Sequence, residues 1–267
     1  MLSAFSQASM LHQTGSRIRL DRLDAVLKLF LSTSPNLPLV ASLDVARRQM
    51  AMQGEELLCE TIALAQRTRA AINAIPNVYC FGEELVGRPG IFDFDPTKVT
   101  ITVKDLGYTG YEASALLRGR YNVQVELADL FNIVALFTIG TTQAAADRLI
   151  FGVREMARED RAVDIFAPSG VLERRLKTGT YKLPKIPPMR MPPREAFLAS
   201  TEAVRFKSSK GRICAEVITP YPPGIPVIAP GEEITPEIID YLDLELRAGV
   251  HMQGPFDPQL KRIRVVK

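Results

Sequence analysis

The stretch "DPTKVTITVK" limits the fold of this chain more than any other. Val99, Ile101 and Val103 alternate strictly with Thr100, Thr102 and Lys104. One face is therefore apolar and the other polar, the pattern of a half-buried strand. Just beyond it, Thr109 and Glu112 in "TGYEASALLRGRY" stand at capping-box spacing, with Ala113, Leu116 and Leu117 on an inward face. "YNVQVEL" then reads as a short strand and "NIVALFTIG" as a more buried one, and "TTQAAADRLIFGVREMA" as a helix capped by Thr141 or Thr142. Strand, helix, strand, strand, helix within about 80 residues predicts a compact α+β unit.

The flanks differ from this centre. Before it come two helices. Asp21 is a candidate N-cap, followed by Leu23, Val26, Leu27 and Phe30 at helical spacing, and "STSPNLP" stops that helix at Pro35 and Pro38. A longer helix is expected from about Ser42 to Ile75, with Leu43, Ala46, Met50, Leu57, Leu58, Ile62 and Ala65 on one face and Gly54 as a candidate kink. Residues 166–190 are rich in Pro and Lys without apolar periodicity, which predicts a linker or extended strap. After it, "GRICAEVI" reads as a strand, "TPYPPGIPVIAPGEEITPE" as turns, and "TPEIIDYLDLEL" as a helix with Thr235 at the N-cap and Pro236 at N1. Ile238, Ile239, Leu242 and Leu246 form the inward stripe of that helix, and "KRIRVVK" closes the chain as a strand.

Composition excludes several classes. The 267 residues carry 33 basic and 30 acidic side chains, and the basic ones are scattered, so no electrostatic footprint for nucleic acid is expected. No apolar run approaches the roughly 20 residues of a membrane-spanning helix, and the first residues lack a signal-peptide pattern. Cys59, Cys80 and Cys214 form no CxxC pair, so neither a disulfide framework nor a metal site is expected, and a reducing cytoplasm is the expected compartment. Only His12 and His251 are available for imidazole chemistry, and each reads as a packing or surface residue. No phosphate-binding loop, nucleophile elbow or HExxH helix is present. Glu126 and Asp129 in "QVELAD" read as strand-end carboxylates.

Two stretches go further: "SAFSQASMLH" and "GRICAEVITPYPPGIPVIAPGE". With "STSP", "ASLDVARRQMA", "DPTKVTITV", "GYTGYEASALLRGRYNVQVELAD" and "PREAF", in that order, the chain resembles the prokaryotic ornithine/lysine/arginine decarboxylases. These are pyridoxal-phosphate enzymes of the aspartate-aminotransferase fold type. The resemblance implies an α/β to α+β chain in four parts. Residues 1–75 would be the helical tail of the large cofactor domain, 76–165 a small aminotransferase-type domain, 166–190 the linker and 191–267 the family's own C-terminal α+β domain. It implies a lyase that converts arginine, lysine or ornithine to the amine and carbon dioxide in polyamine metabolism or acid resistance, working as a cytoplasmic homodimer or higher oligomer.

The same resemblance removes the reaction's central group. In the family a His-Lys pair directly precedes the segment that here begins "MLSAFSQ", and its lysine forms the imine with the cofactor. Neither His12 nor His251 is followed by lysine, so these residues are expected to hold no covalent pyridoxal phosphate and to supply no catalytic residue. Losing carbon dioxide from an amino acid leaves a carbanion that needs the cofactor ring as electron sink. What remains is accessory. Ser3 and Ser6 would border the cofactor, and Ser32, Thr33 and Ser34 resemble a loop that reaches the partner subunit's cofactor phosphate. Tyr221 and Pro222 would wall the substrate entrance. Helix capping and ordinary turn chemistry are the competing roles for the hydroxyls, and a preorganised turn for Tyr221 and Pro222.

Three expectations for such a chain follow. It is the C-terminal portion of a decarboxylase, or a truncated non-enzymatic paralogue that pairs with a full-length decarboxylase subunit, or the product of a misassigned start or gene remnant. Apolar stripes on helices 21–31 and 43–75 would lack the sheet they suit. Each exposed side chain would leave about 1.5–3 kcal/mol unrealised, favouring self-association.

Overall fold

The structure, a computed structural model, describes residues 2–159, 183–221 and 224–267. Most of the expected linker and Pro222 lie outside the described residues. The chain divides into two compact units, Met1–Leu64 with Phe137–Thr141, and Ala65–Leu136 with Thr142–Lys267.

In the first unit an extended N-terminal segment leads to α1 (Leu20–Phe30) and α2 (Leu37–Asn73), whose last turns belong to the second unit. Asp21 is not the N-cap of α1. Arg19 holds that position with extended backbone, and its guanidinium draws the Asp21 carboxylate into the first turn, Nε to Oδ1 3.2 Å. An acid there still complements the helix dipole. α2 starts a turn earlier than its apolar pattern, because Asn36 Oδ1 accepts from Leu39 N at 3.3 Å. Pro38 falls within that first turn, where its missing N–H costs nothing. The hydrogen-bonded helix continues through Gly54. α1 buries no residue, and Leu29 and Phe30 are 80% and 83% exposed.

The second unit holds the α+β centre. β1 (Tyr79–Cys80), β2 (Lys98–Thr102), β3 (Leu127–Ala128) and β4 (Asn132–Leu136) form an antiparallel sheet in the order β1-β2-β4-β3. Val99, Ile101 and Val103 are buried as the alternation requires, with Ile133 opposite Ile101. α3 (Gly110–Tyr121) begins with the full capping box: Glu112 N donates to Thr109 Oγ1 at 3.1 Å, and Thr109 N donates to Glu112 Oε2 at 2.9 Å. Gly110 sits so close to the sheet that a Cβ would stand 2.1 Å from the Asn132 carbonyl oxygen. α4 (Gln143–Arg158) is capped by Thr142 and packs Gly152 against Leu117 and Tyr121 of α3. The end of α2 joins this layer through side chains that act as strand edges. Asn73 exchanges two hydrogen bonds with Cys80, and buried Arg69 donates to the carbonyls of Phe81 and Pro96.

After the undescribed stretch come α5 (Pro193–Leu198), β5 (Thr201–Arg205), β6 (Thr219–Tyr221), α6 (Pro236–Arg247), β7 (His251–Gln253) and β8 (Arg262–Val266). β5 pairs with β8 and β6 with β7, both antiparallel. Their core is Phe206, Ile218, Ile234, Leu242, Ile263 and neighbouring apolar residues.

Two expected elements are corrected, and three strands appear that were not expected. "YNVQVEL" supplies only β3, because Tyr121 finishes α3 and Asn122 caps it with left-handed backbone, φ 52°. "GRICAEVI" forms no continuous strand. Ile213 bridges Glu233 on one side and Cys214 bridges Val265 on the other, one residue each. β5, β6 and β7 form through partners far along the chain, which no local pattern announces.

Candidate functional site

The segment "PYPPGIPVIAPGE" shapes one wall of a cleft of about 460 Å³ in the second unit. Pro220, Ile225 and Val227 line it from that segment, and Tyr111 of α3 and Tyr241 of α6 face them as phenol walls. Proline fixes the backbone here before any ligand arrives. Ile218 N donates to Ile228 O at 3.0 Å and Val227 N to Ile218 O at 2.9 Å, so Val227 and Ile228 are held beside Ile218. Gly231 ends it with φ 92°, where a Cβ would stand 2.2 Å from the Met191 carbonyl oxygen.

Three carboxylates bear on the cleft, and each has a different local task. Asp129 is spent on its own turn: Oδ1 accepts from Phe131 N and Asn132 N, both at 2.8 Å, and both oxygens accept from Asn132 Nδ2 at 3.0 Å. Glu245 lies behind the wall, 2% exposed, and accepts from the Tyr111 hydroxyl at 3.0 Å. Burial, reinforced by that carboxylate, pushes the Tyr111 phenol far above its usual range, so it remains a donor at every ordinary pH. Glu232 is half-buried on the cleft; its Oε2 accepts from Ala229 N at 2.7 Å, and among the described residues Oε1 has no protein donor. Lys185 adds one cation to the lining. The lining offers apolar walls, two phenols and one available carboxylate oxygen, which suits binding an aliphatic chain with a polar end. Among the described residues it holds no nucleophile–base pair.

The residues expected at the cofactor lie in the first unit, in two places. Ser3 Oγ donates to Gln49 Oε1 at 2.5 Å, and Phe5 N donates to Ser42 Oγ at 3.1 Å, which lays the N-terminal segment along α2. Ser6 follows as an exposed turn residue. Ser32, Thr33 and Ser34 occupy the exposed α1–α2 connection, where Ser34 N donates to Ser32 Oγ at 3.1 Å. No hydrogen bond joins the two groups, and none ties either to a lysine or a carboxylate among the described residues. These hydroxyls fit a few phosphate donors at most. Without a lysine and a ring-nitrogen acid beside them they do not fit the whole pyridoxal phosphate, and no reaction step is assigned to them.

Tyr221 is half-exposed on β6 opposite His251, next to the cleft but outside its lining. His12 is exposed, and no group of three metal-ligating side chains occurs among the described residues. No helix among them is long and apolar enough to cross a membrane. Tyr111, Tyr241 and Glu245 carry no local signal of a site, because their partners lie on other elements. Glu232 lies inside "VIAPGE", a stretch that carries the family resemblance, but no local pattern marks it as a site residue.

Comparison with known proteins decides the kinship. Residues 1–145 match the model of the Orn/Lys/Arg decarboxylase major domain, and residues 175–263 that of the Orn/Lys/Arg decarboxylase C-terminal domain. The chain belongs to the Orn/Lys/Arg decarboxylase family. It is 42% identical over 265 residues to arginine decarboxylase of Bacillus subtilis (strain 168), covering 99% of this chain and 52% of that relative. Lysine decarboxylase LdcA of Pseudomonas aeruginosa is 31% identical, covering 91% of this chain and 43% of LdcA. The solved lysine decarboxylase LdcF of Francisella novicida superposes with a TM-score of 0.77 at 26% identity, over 100% of this chain and 48% of LdcF. The chain thus spans about half the length of the decarboxylases it matches. The mixed helix-and-sheet architecture is that of the C-terminal part of the family fold.

Proposed function

We propose that these 267 residues are the C-terminal portion of a pyridoxal-phosphate-dependent decarboxylase of a basic amino acid, with arginine as the first substrate to test. The observation that supports it is the order of the two family matches, major domain then C-terminal domain, along one chain. In this reading residues 1–75 belong to the large domain, 76–165 form the small domain and 191–267 the C-terminal domain. The cofactor enters as the complete enzyme's, and the assembly is at least a cytoplasmic dimer.

The chain's own contribution is recognition. The cleft beside "PYPPGIP" lies on the substrate's path. Its prolines and phenols hold the aliphatic stem, and Glu232 Oε1 accepts from the distal cation. A carboxylate that already takes one backbone N–H keeps a fixed position for a charge-assisted bond. Tyr221 flanks this entrance, and Ser32, Thr33 and Ser34 act in trans as accessory donors.

Release of carbon dioxide from arginine is the direct test. The 267 residues alone are expected to release none and to give no aldimine band with pyridoxal phosphate. The same chain extended by the in-frame upstream sequence is expected to be active. A stoichiometric band on the short chain that survives gel filtration would overturn the reading. A second reading is favoured by the exposed apolar faces of α1 and early α2, including Phe30, Leu37, Val45 and Met52. In it the chain is a non-enzymatic paralogue that pairs with a full-length decarboxylase. Inert extended chain together with co-purification of that subunit distinguishes it.

A further inference from the structure

The groove at the open end of the β5·β8 pair carries a concentration of positive charge that the proposed reaction does not use. It has a volume of about 700 Å³, and Arg205, Lys207, Lys261 and Arg262 line it with a single carboxylate, Asp243. All four cations are exposed, while Phe206, Leu260 and Ile263 between and beside them are buried. The buried anchors fix the alternation, so the charged side chains have no inward alternative.

Arg205 and Arg262 are register partners, directly opposite across the two strands. Like charges in that position repel, and proteins usually place opposite charges there. The next step along each chain adds Lys207 and Lys261, with Phe206 N donating to Lys261 O at 3.1 Å to hold the two backbones together. Asp243 does not neutralise the set. It already accepts from Lys207 Nζ at 3.1 Å and from Arg247 Nη2 at 2.7 Å, so a fifth cation shares it. Arg262 Nη2 donates to the Ala203 carbonyl, which orients the guanidinium without cancelling its charge. Arg205 and Lys261 make no ion pair among the described residues. Ser208 and Gln259 supply neutral donors on the same lining. The whole chain is nearly balanced in charge, with a net formal value of +3. A short cluster rather than a long basic stripe fits a compact, multiply charged anion better than a nucleic acid strand.

We propose that this groove binds a small condensed phosphate, an anion with at least two linked phosphoryl groups. The guanidinium groups of Arg205 and Arg262 grip it as planar forks, and Lys207 and Lys261 act as point charges. Bound anion removes the Arg205–Arg262 repulsion.

The test is titration calorimetry of inorganic pyrophosphate into the full chain at fixed ionic strength. One saturable site per chain is expected, weakening as salt rises, with orthophosphate bound more weakly by about tenfold or more. Arg205→Gln with Lys261→Gln is expected to weaken pyrophosphate by about tenfold or more. The melting temperature without ligand should stay equal to or above that of the parent, because a like-charge pair is removed. The Lys261→Gln single variant, on an exposed loop, reads the same loss should the double variant fold poorly. Arg118→Gln with Arg154→Gln removes the same charge from exposed positions on α3 and α4 and is expected to leave binding unchanged. Absence of a saturable site, binding that survives in Lys261→Gln and the double variant, or equal loss in the α3/α4 control would overturn the proposal.

Discussion

Glu216 gives the sharpest test of how the C-terminal region is held. Its side chain is 8% exposed and accepts two backbone N–H groups, Oε1 from Phe256 at 2.8 Å and Oε2 from Arg264 at 2.9 Å. One carboxylate thus closes the edge of β8 and pins the loop before it, where no strand supplies a carbonyl. Replacing Glu216 with alanine leaves both donors unpaired. A buried donor without a partner costs about 1–3 kcal/mol, but the side chains of Phe256 and Arg264 lie near solvent and water reaches part of the gap. The expected loss is about 2–4 kcal/mol for the pair, a large fraction of an ordinary domain's stability. For a unit of this size that lowers the melting temperature by roughly 4–16 °C. Glu216→Gln keeps one acceptor and turns an NH₂ toward the second N–H, so its loss is expected to fall between parent and alanine. Urea unfolding followed by circular dichroism measures both; the chain has no tryptophan to serve as a fluorescent probe. Alanine within about 0.5 kcal/mol of the parent, the ordinary range for surface changes, would refute the reasoning.

Two further outcomes are expected. Asp95 accepts from Lys98 Nζ and Thr97 Oγ1, both at 2.6 Å, and these bonds hold its carboxyl down to about 2 from an ordinary 3.8. Its contribution is therefore complete above the ordinary value and lost as pH falls toward about 2. Since the pair is half-exposed, Asp95→Asn is expected to cost only about 0.5–1 kcal/mol at neutral pH, a difference that closes in urea titrations through the acid range. Cysteine reactivity should divide the chain by burial. Burial pushes the Cys80 thiol up to about 11 and Cys214 up to about 12, whereas Cys59 is exposed. A thiol reagent at mildly alkaline pH should label Cys59 at once and the other two only on unfolding; rapid labelling of Cys214 would contradict the packing of its core.

Much of the centre was legible because its determinants are local. The alternation of Val99, Ile101 and Val103, the Thr109–Glu112 box and the Thr235 cap all act within a few residues and appear where the spacing puts them, and the structure selects Thr142 from the two caps the spacing allowed. Boundaries failed where a side chain had two suitors. Asp21 had the choice of a cap or a guanidinium two residues away, and Asn36 moved the start of α2 ahead of its apolar stripe.

By itself the sequence determined most of the secondary elements of the centre, the absence of a lysine after either histidine, and enough ordered motifs to indicate the family. Those features are chemical identity and short-range periodicity, which need no partner. Only the tertiary structure decided that Tyr111 meets Glu245 across 134 positions, that Arg205 stands opposite Arg262, and that Glu216 serves two distant amides. Each is a pairing set by strand register or helix packing. A register shift of a single residue would turn every such side chain to the other face, and nothing in the local order of residues records which register the core selects.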